Sequence, residues 1–148
     1  AVTPSNEKFR LSRAWRITEP EILDAIYGNT DVALIDARPL EFLEGMNQHQ
    51  AALEAGTIHG AANLEHSVWF QKGPTEGVLV AGYEPPRQIL ESALGRSAKA
   101  IATFCNVGRW SATNWFMLSE VAGLDDVRLY PEGMVGWTKA GHETVVAE

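Results

Sequence analysis

The stretch AIATFCNVGRWSATNWFMLSEVAG, residues 100–123, decides the fold. Ala100 to Phe104 is a short, nearly all-apolar run, the pattern of a strand covered on both faces in a parallel sheet. The run ends at Cys105 and passes through Asn106, Val107, Gly108, Arg109 and Trp110. Ser111 then stands where a helix cap belongs, and the spacing predicts a helix carrying Trp115, Leu118, Val121 and Ala122 on one side, closed by Gly123.

Outward from this unit the same alternation recurs. Val32 to Ile35 is a second apolar run, ending at Asp36. Before it, Thr18 and Glu21 have capping-box spacing, and Ile22, Leu23, Ile26 and Tyr27 predict a helix from about Glu19 to Tyr27 that stops near Gly28. Glu41, Phe42 and Leu43 suggest one helical turn, Met46 to Ala55 a polar insertion or short helix, and Gly60 to Leu64 a small-residue strand. Residues 71–86, rich in Gly and Pro, predict a loop positioned to drape over a site. Pro86 opens a helix through Ile89, Leu90 and Leu94, closed by Gly95. Val127 to Tyr130 is a further strand, and Pro131, Gly133 and Gly136 form a turn before a last short helix around Trp137. Residues 1–14 read as an extended arm and 15–148 as a single domain. The expected class is α/β, a central parallel sheet of about five strands with helices on both faces.

Composition bounds the function. The 148 residues carry 12 Lys and Arg against 19 Asp and Glu, a formal charge of −7. At 45% hydrophobic and 21% charged, the chain is neither globally disordered nor long enough for two full domains. Its acidity argues against nucleic acid or an anionic membrane as partner, so an anionic ligand must be recognised locally. No apolar run approaches the roughly 18 to 20 residues of a membrane span. The single cysteine, Cys105, excludes an internal disulfide and a cysteine-rich zinc site, and no metal or organic cofactor is implied.

A lone cysteine is more often a small buried hydrophobe than a nucleophile. Position reverses that order here. Cys105 falls at the carboxyl end of a central strand, where open α/β sheets bind their ligands, and just before a helix whose free amides point back toward it. That helix end, and Arg109 if its side chain turns inward, favour a thiolate. Gly108 gives the loop the freedom to curl its N–H groups into an anion nest. Trp110 reads as a pocket wall, while Trp69, Trp115 and Trp137 read as core. Ser111 reads as a helix cap first and a donor to the site second.

The segment CNVGRWSA, 105–112, resembles the active-site loop of the rhodanese family, especially its small single-domain sulfurtransferases. LIDARPLEF at 34–42 resembles the family's first strand with its Asp-x-Arg signature, GTIHGAANL at 56–64 its glycine-His-Ile-Pro-glycine-Ala segment, and LYPEGMVGWTKAG at 129–141 its closing strand, glycine turn and tryptophan helix. There are departures. Thr57 stands at the family's histidine position and His59 where proline is usual, so His59 is read as a turn residue. About ten extra residues, Met46 to Ala55, precede that segment, and Trp110 is a bulky occupant of the loop.

The resemblance implies a rhodanese-like fold and a thiosulfate sulfurtransferase. Cys105 would take the outer sulfur of thiosulfate or a persulfide, and the loop Asn106, Val107, Gly108, Arg109, Trp110 and Ser111 would hold the donor and the persulfide. Asp36 and Arg38 would form a structural ion pair that anchors the loop. The implied partners are a small anionic sulfur donor and a cyanide or thiol acceptor, with a protein donor or acceptor as a further option. Double-displacement kinetics follow. Two rival readings differ from this one. Cell-cycle dual-specificity phosphatases share the fold but carry a longer loop with arginine six positions after the cysteine, where this chain has Ser111. A non-turnover rhodanese module would act as a sulfur carrier or partner-binding domain. The start at Ala1 and the resemblance to exported members favour a periplasmic location, with the cytoplasm as the alternative.

Overall fold

The computed structural model of the chain describes residues 14–71, 78–79, 86–98 and 100–147. Its order is α1 (Glu19–Ile26), β1 (Val32–Asp36), α2 (Leu40–Leu43), β2 (Ala62–Asn63), a 3₁₀ turn (His66–Trp69), β3 (Phe70–Gln71), β4 (Val78–Leu79), α3 (Pro86–Leu94), β5 (Ala100–Phe104), α4 (Arg109–Phe116), a π-helical turn (Met117–Val121), β6 (Asp126–Tyr130) and α5 (Gly133–Lys139). Strands β2, β1, β5 and β6 form a parallel sheet in that order, with Leu34 opposite Ala102 and Ala102 opposite Arg128. β3 and β4 make a separate antiparallel pair.

Alternation along the two inner strands feeds two cores, because successive side chains of a strand point to opposite faces. Ala33, Ile35 and Ile101 pack with Leu90 of α3 and with Met117 and Leu118. Leu34, Ala102 and Phe104 pack on the other face with Ile22 of α1 and with Met134 and Trp137 of α5. Helices thus cover both faces, which is why β1 and β5 carry almost no polar residue before their carboxyl ends. Trp69 and Trp137 are buried and Trp115 half-buried, each with its indole N–H donated, to Asn114 Oδ1, the Glu143 carbonyl and the Val127 carbonyl respectively.

Among the described residues the sheet has four strands, one fewer than expected. The fifth place, beyond β6, is filled by a single-residue parallel bridge between Arg16 and Leu129, with Ile17 and Leu129 donating N–H bonds across it. On the carboxyl side of this bridge the pairing ends because α1 starts at Glu19. The Gly60 to Leu64 strand shortens to β2, and Met46 to Ala55 forms turns rather than a helix. The arm, apart from Ala14, and most of the 71–86 loop lie outside the described residues.

Helix ends follow their sequence signals in one case and not in another. At α1 the Glu21 carboxylate accepts both the N–H and the hydroxyl of Thr18, and these hydrogen bonds hold the Glu21 carboxyl below its ordinary range. At α4 the helix starts two residues before Ser111. Gly108, at φ 83°, turns the chain in the left-handed region and is itself the N-cap, which places Ser111 inside the first turn. Farther along, the π-helical turn inserts extra backbone per turn, so Met117 and Leu118 are buried while Val121 swings outward and is 40% exposed. Among the described residues no helix is long and apolar enough to cross a membrane.

Candidate active site

The parallel ladder between β1 and β5 delivers Asp36 opposite Phe104, and one further rung joins the Ala37 N–H to the Phe104 carbonyl. Cys105 is therefore the first residue past the sheet on one of its two central strands, directly beside the Asp36–Arg38 segment.

The loop after Cys105 is gripped by α5. Met134 N–H donates to the Cys105 carbonyl at 2.8 Å, and Val135 N–H to the Asn106 carbonyl at 3.2 Å. The approach needs glycine: a Cβ on Gly133, whose φ is +55°, would stand 2.2 Å from the Cys105 carbonyl oxygen and 2.6 Å from that of Asn106. In a trans peptide the N–H points opposite the C=O. Because both carbonyls face α5, the N–H groups of Asn106 and Val107 point away from it. Among the described residues, the main-chain N–H groups of residues 107–111 donate to no protein acceptor. They are the free amides of the Gly108 turn and of the first turn of α4, the end of a helix that attracts negative charge.

Cys105 is 1% exposed and lines a cavity of about 190 Å³ together with His49, Asn106, Val107, Arg109 and Trp110. The thiol is recessed but reached from that cavity. Ser111, fully buried, donates its hydroxyl to Cys105 Sγ at 3.5 Å. This corrects the reading of Ser111 as a cap: it sits at the third helical position, where its side chain faces the sulfur rather than the helix amides. Gly108 does not line the cavity; a Cβ there would meet the Pro131 carbonyl oxygen at 3.0 Å. Arg109 is exposed at the cavity wall, and among the described residues it forms no ion pair.

Below this cavity lies a buried polar assembly. Arg38 donates from Nε to Asp36 Oδ1 at 2.9 Å and from Nη2 to Asp36 Oδ2 at 2.6 Å. The same Nη2 donates to the Gly56 carbonyl at 2.8 Å, Nη1 donates to Asn106 Oδ1 at 3.4 Å, and Thr57 donates its hydroxyl to Asp36 Oδ2 at 2.7 Å. Asp36 is 0% and Arg38 2% exposed. Such a pair, desolvated on both sides, is tolerable only with its lone pairs and protons satisfied, as they are here. The guanidinium also lies 5.4 Å from the Phe42 ring centre. Phe42 meets Trp110 edge-on at 6.0 Å, and His66 stacks on Trp110 at 4.9 Å and 8°. Trp110 is thus held between α2 and the 3₁₀ turn. Thr57 belongs to the buried assembly, while His59 is exposed and away from the cavity.

Two contributors escaped the sequence. His49 lies in a segment without periodicity, and the convergence of connections at the carboxyl ends of parallel strands is a general rule that singles out no residue there. The clasp by α5 is carried by main-chain atoms, and its one sequence trace is Gly133.

A rhodanese-like domain model matches residues 19–140. A thiosulfate sulfurtransferase of Corynebacterium glutamicum is 26% identical over 136 residues, 86% of this chain and 42% of that protein. Among solved structures, the Tum1 protein of Saccharomyces cerevisiae superposes with a TM-score of 0.69 at 20% identity, over 86% of this chain and 44% of that one. A probable thiosulfate sulfurtransferase superposes with a TM-score of 0.66 at 22% identity, over 95% of this chain and 51% of that one. The structural likenesses establish the fold. The chain spans about half the length, or less, of these relatives.

Proposed function

This chain belongs to the rhodanese-like domain family, and from that premise we propose that it is a sulfurtransferase working through a persulfide on Cys105. The observation that carries the reading is the recessed Cys105 thiol, lining a small cavity with Arg109 and accepting from Ser111 of α4's first turn, where the main-chain N–H groups of residues 107–111 have no protein acceptor among the described residues. A lone cysteine with that environment suits reaction with a small anionic donor better than a structural role.

In the first half-reaction the Cys105 thiolate attacks the outer sulfur of thiosulfate. An S–S bond forms to Sγ as the S–S bond of thiosulfate breaks, and sulfite leaves with the bonding pair. Charge is conserved, three negative before and three after, so no proton is needed. The persulfide anion that remains is next to the Ser111 hydroxyl, and the amino end of α4, with its N–H groups free of protein acceptors, favours its negative charge. In the second half, cyanide or a thiolate attacks the outer sulfur, and the electron pair of the broken bond returns to Cys105. A persulfide donor would enter the same way, releasing a thiolate. Ser111 favours sulfur over phosphate, because a phosphate-binding loop of this fold would need arginine at that position.

Thiocyanate formation from thiosulfate and cyanide tests the reading. The protein is expected to turn over with ping-pong kinetics, and Cys105→Ser to be inactive. A folded wild-type protein that forms no thiocyanate, and whose cysteine takes no sulfur from thiosulfate, would instead be a partner-binding module or a carrier loaded by a protein donor.

A further inference from the structure

We infer that His49, carried on the 46–55 insertion, orients the anionic tail of the incoming sulfur donor. The inference rests on the transfer reading above and deepens it by naming a specificity-determining residue. His49 lines the cavity into which Cys105 opens, on the side supplied by the β1–β2 connection rather than by the cysteine loop.

One hydrogen bond sets the tautomer of its neutral ring. Ala51 N–H donates to His49 Nδ1 at 3.2 Å, so Nδ1 presents a lone pair and the neutral imidazole keeps its proton on Nε2. With Nδ1 turned back onto its own loop, the N–H corner of the ring is the one left for a ligand. The segment bearing it is braced. Ala52 N–H donates to the His49 carbonyl at 2.9 Å, Asn47 N–H to the Glu41 carbonyl at 3.0 Å, and Leu53 N–H to Thr138 Oγ1 of α5 at 3.0 Å. A braced N–H donor on a ring that lines a cavity shared with Arg109 and the Cys105 thiol matches a donor with a nucleophile-facing sulfur at one end and oxyanions at the other. Thiosulfate is such a molecule: its outer sulfur goes to Cys105 and a sulfonate oxygen accepts from His49 Nε2–H.

Alkylation of Cys105 reads this without sulfur transfer. Iodoacetate and iodoacetamide share a leaving group and differ in whether the tail is anionic. The ratio of the iodoacetate rate to the iodoacetamide rate is expected to fall roughly tenfold in His49→Ala, the worth of one charge-assisted hydrogen bond, with the iodoacetamide rate within about twofold of wild type. His49→Gln, which restores an N–H donor, is expected to recover part of the ratio. An unchanged ratio in His49→Ala, an equal slowing with both reagents, or a His49→Gln ratio as low as that of alanine would each overturn the inference. The wild-type protein is exposed to thiosulfate in parallel. If it takes no sulfur, the transfer reading and the sulfonate assignment fall together, while the alkylation ratio still decides whether His49 orients anions.

Discussion

Arg38 and Asn106 are 68 residues apart in the chain and meet beneath the site, Nη1 donating to Oδ1 at 3.4 Å while the rest of the guanidinium closes on Asp36. One side chain thus ties the end of β1, the Gly56 carbonyl and the residue next to the cysteine into a single unit. The position of the loop is set from below by this ion pair and from the side by α5.

Removal of one partner of this pair is the harsher perturbation, since Asp36 would be left as an uncompensated charge at 0% exposure. Arg38→Met is expected to cost about 3–5 kcal/mol in urea unfolding. Asp36→Asn combined with Arg38→Met is expected to cost less than Arg38→Met alone. A loss below about 1 kcal/mol for the single variant would mean that the pair contributes little, as exposed pairs do.

Gly133 and Gly123 separate close approach from backbone strain. Both have positive φ, +55° and +65°, but a Cβ on Gly123 meets open space while one on Gly133 would overlap the Cys105 carbonyl oxygen at 2.2 Å. Gly123→Ala is expected to cost roughly 1–2 kcal/mol, the left-handed backbone penalty alone. Gly133→Ala is expected to cost more and to lower the rate of Cys105 alkylation by iodoacetamide, because α5 must release the loop. Equal unfolding costs and equal alkylation rates for the two variants would contradict the clasp.

Arg109 is the cavity's exposed cation. Arg109→Ala is expected to raise KM for thiosulfate roughly tenfold, through loss of a charged contact to the donor, with a smaller effect on kcat. Steady-state kinetics against thiosulfate check this, and an unchanged KM would remove Arg109 from donor binding.

Tyr130 supplies a pH signature. Burial, with Glu19 and Glu132 nearby, pushes its phenol up to about 12. Its folded value lies above the roughly 10 of an unfolded chain. The contribution to stability is therefore fully present below pH ~10 and lost as pH rises from there through about 12. Urea midpoints across that window should fall in wild type and fall less steeply in Tyr130→Phe. Parallel declines would show that other groups control the alkaline limb.

Much of this was legible in the sequence, for identifiable reasons. The runs ending at Asp36 and Cys105 are apolar because both faces of β1 and β5 are covered, and a buried central strand writes itself into a chain as a continuous hydrophobic stretch. The capping box of α1 was equally plain, since it is made by side chains. Features made by backbone were not. The start of α4 depends on the left-handed turn at Gly108, so the rule that looks for a hydroxyl cap chose Ser111 instead. The π-helical turn carries no marker in its residues and displaced Val121 from the expected buried face. His49 was illegible because its place beside Cys105 comes from loop convergence, which leaves no period behind.

On the proposed function, the Cys105 thiol accepts one sulfur atom from a small anionic donor. Intact-mass measurement of the protein after exposure to thiosulfate and removal of excess reagent tests it most directly. One sulfur atom per chain is expected, mapped to Cys105, absent in Cys105→Ser and released by cyanide or a thiol. A folded wild-type protein with a titratable thiol and no added sulfur would contradict the account.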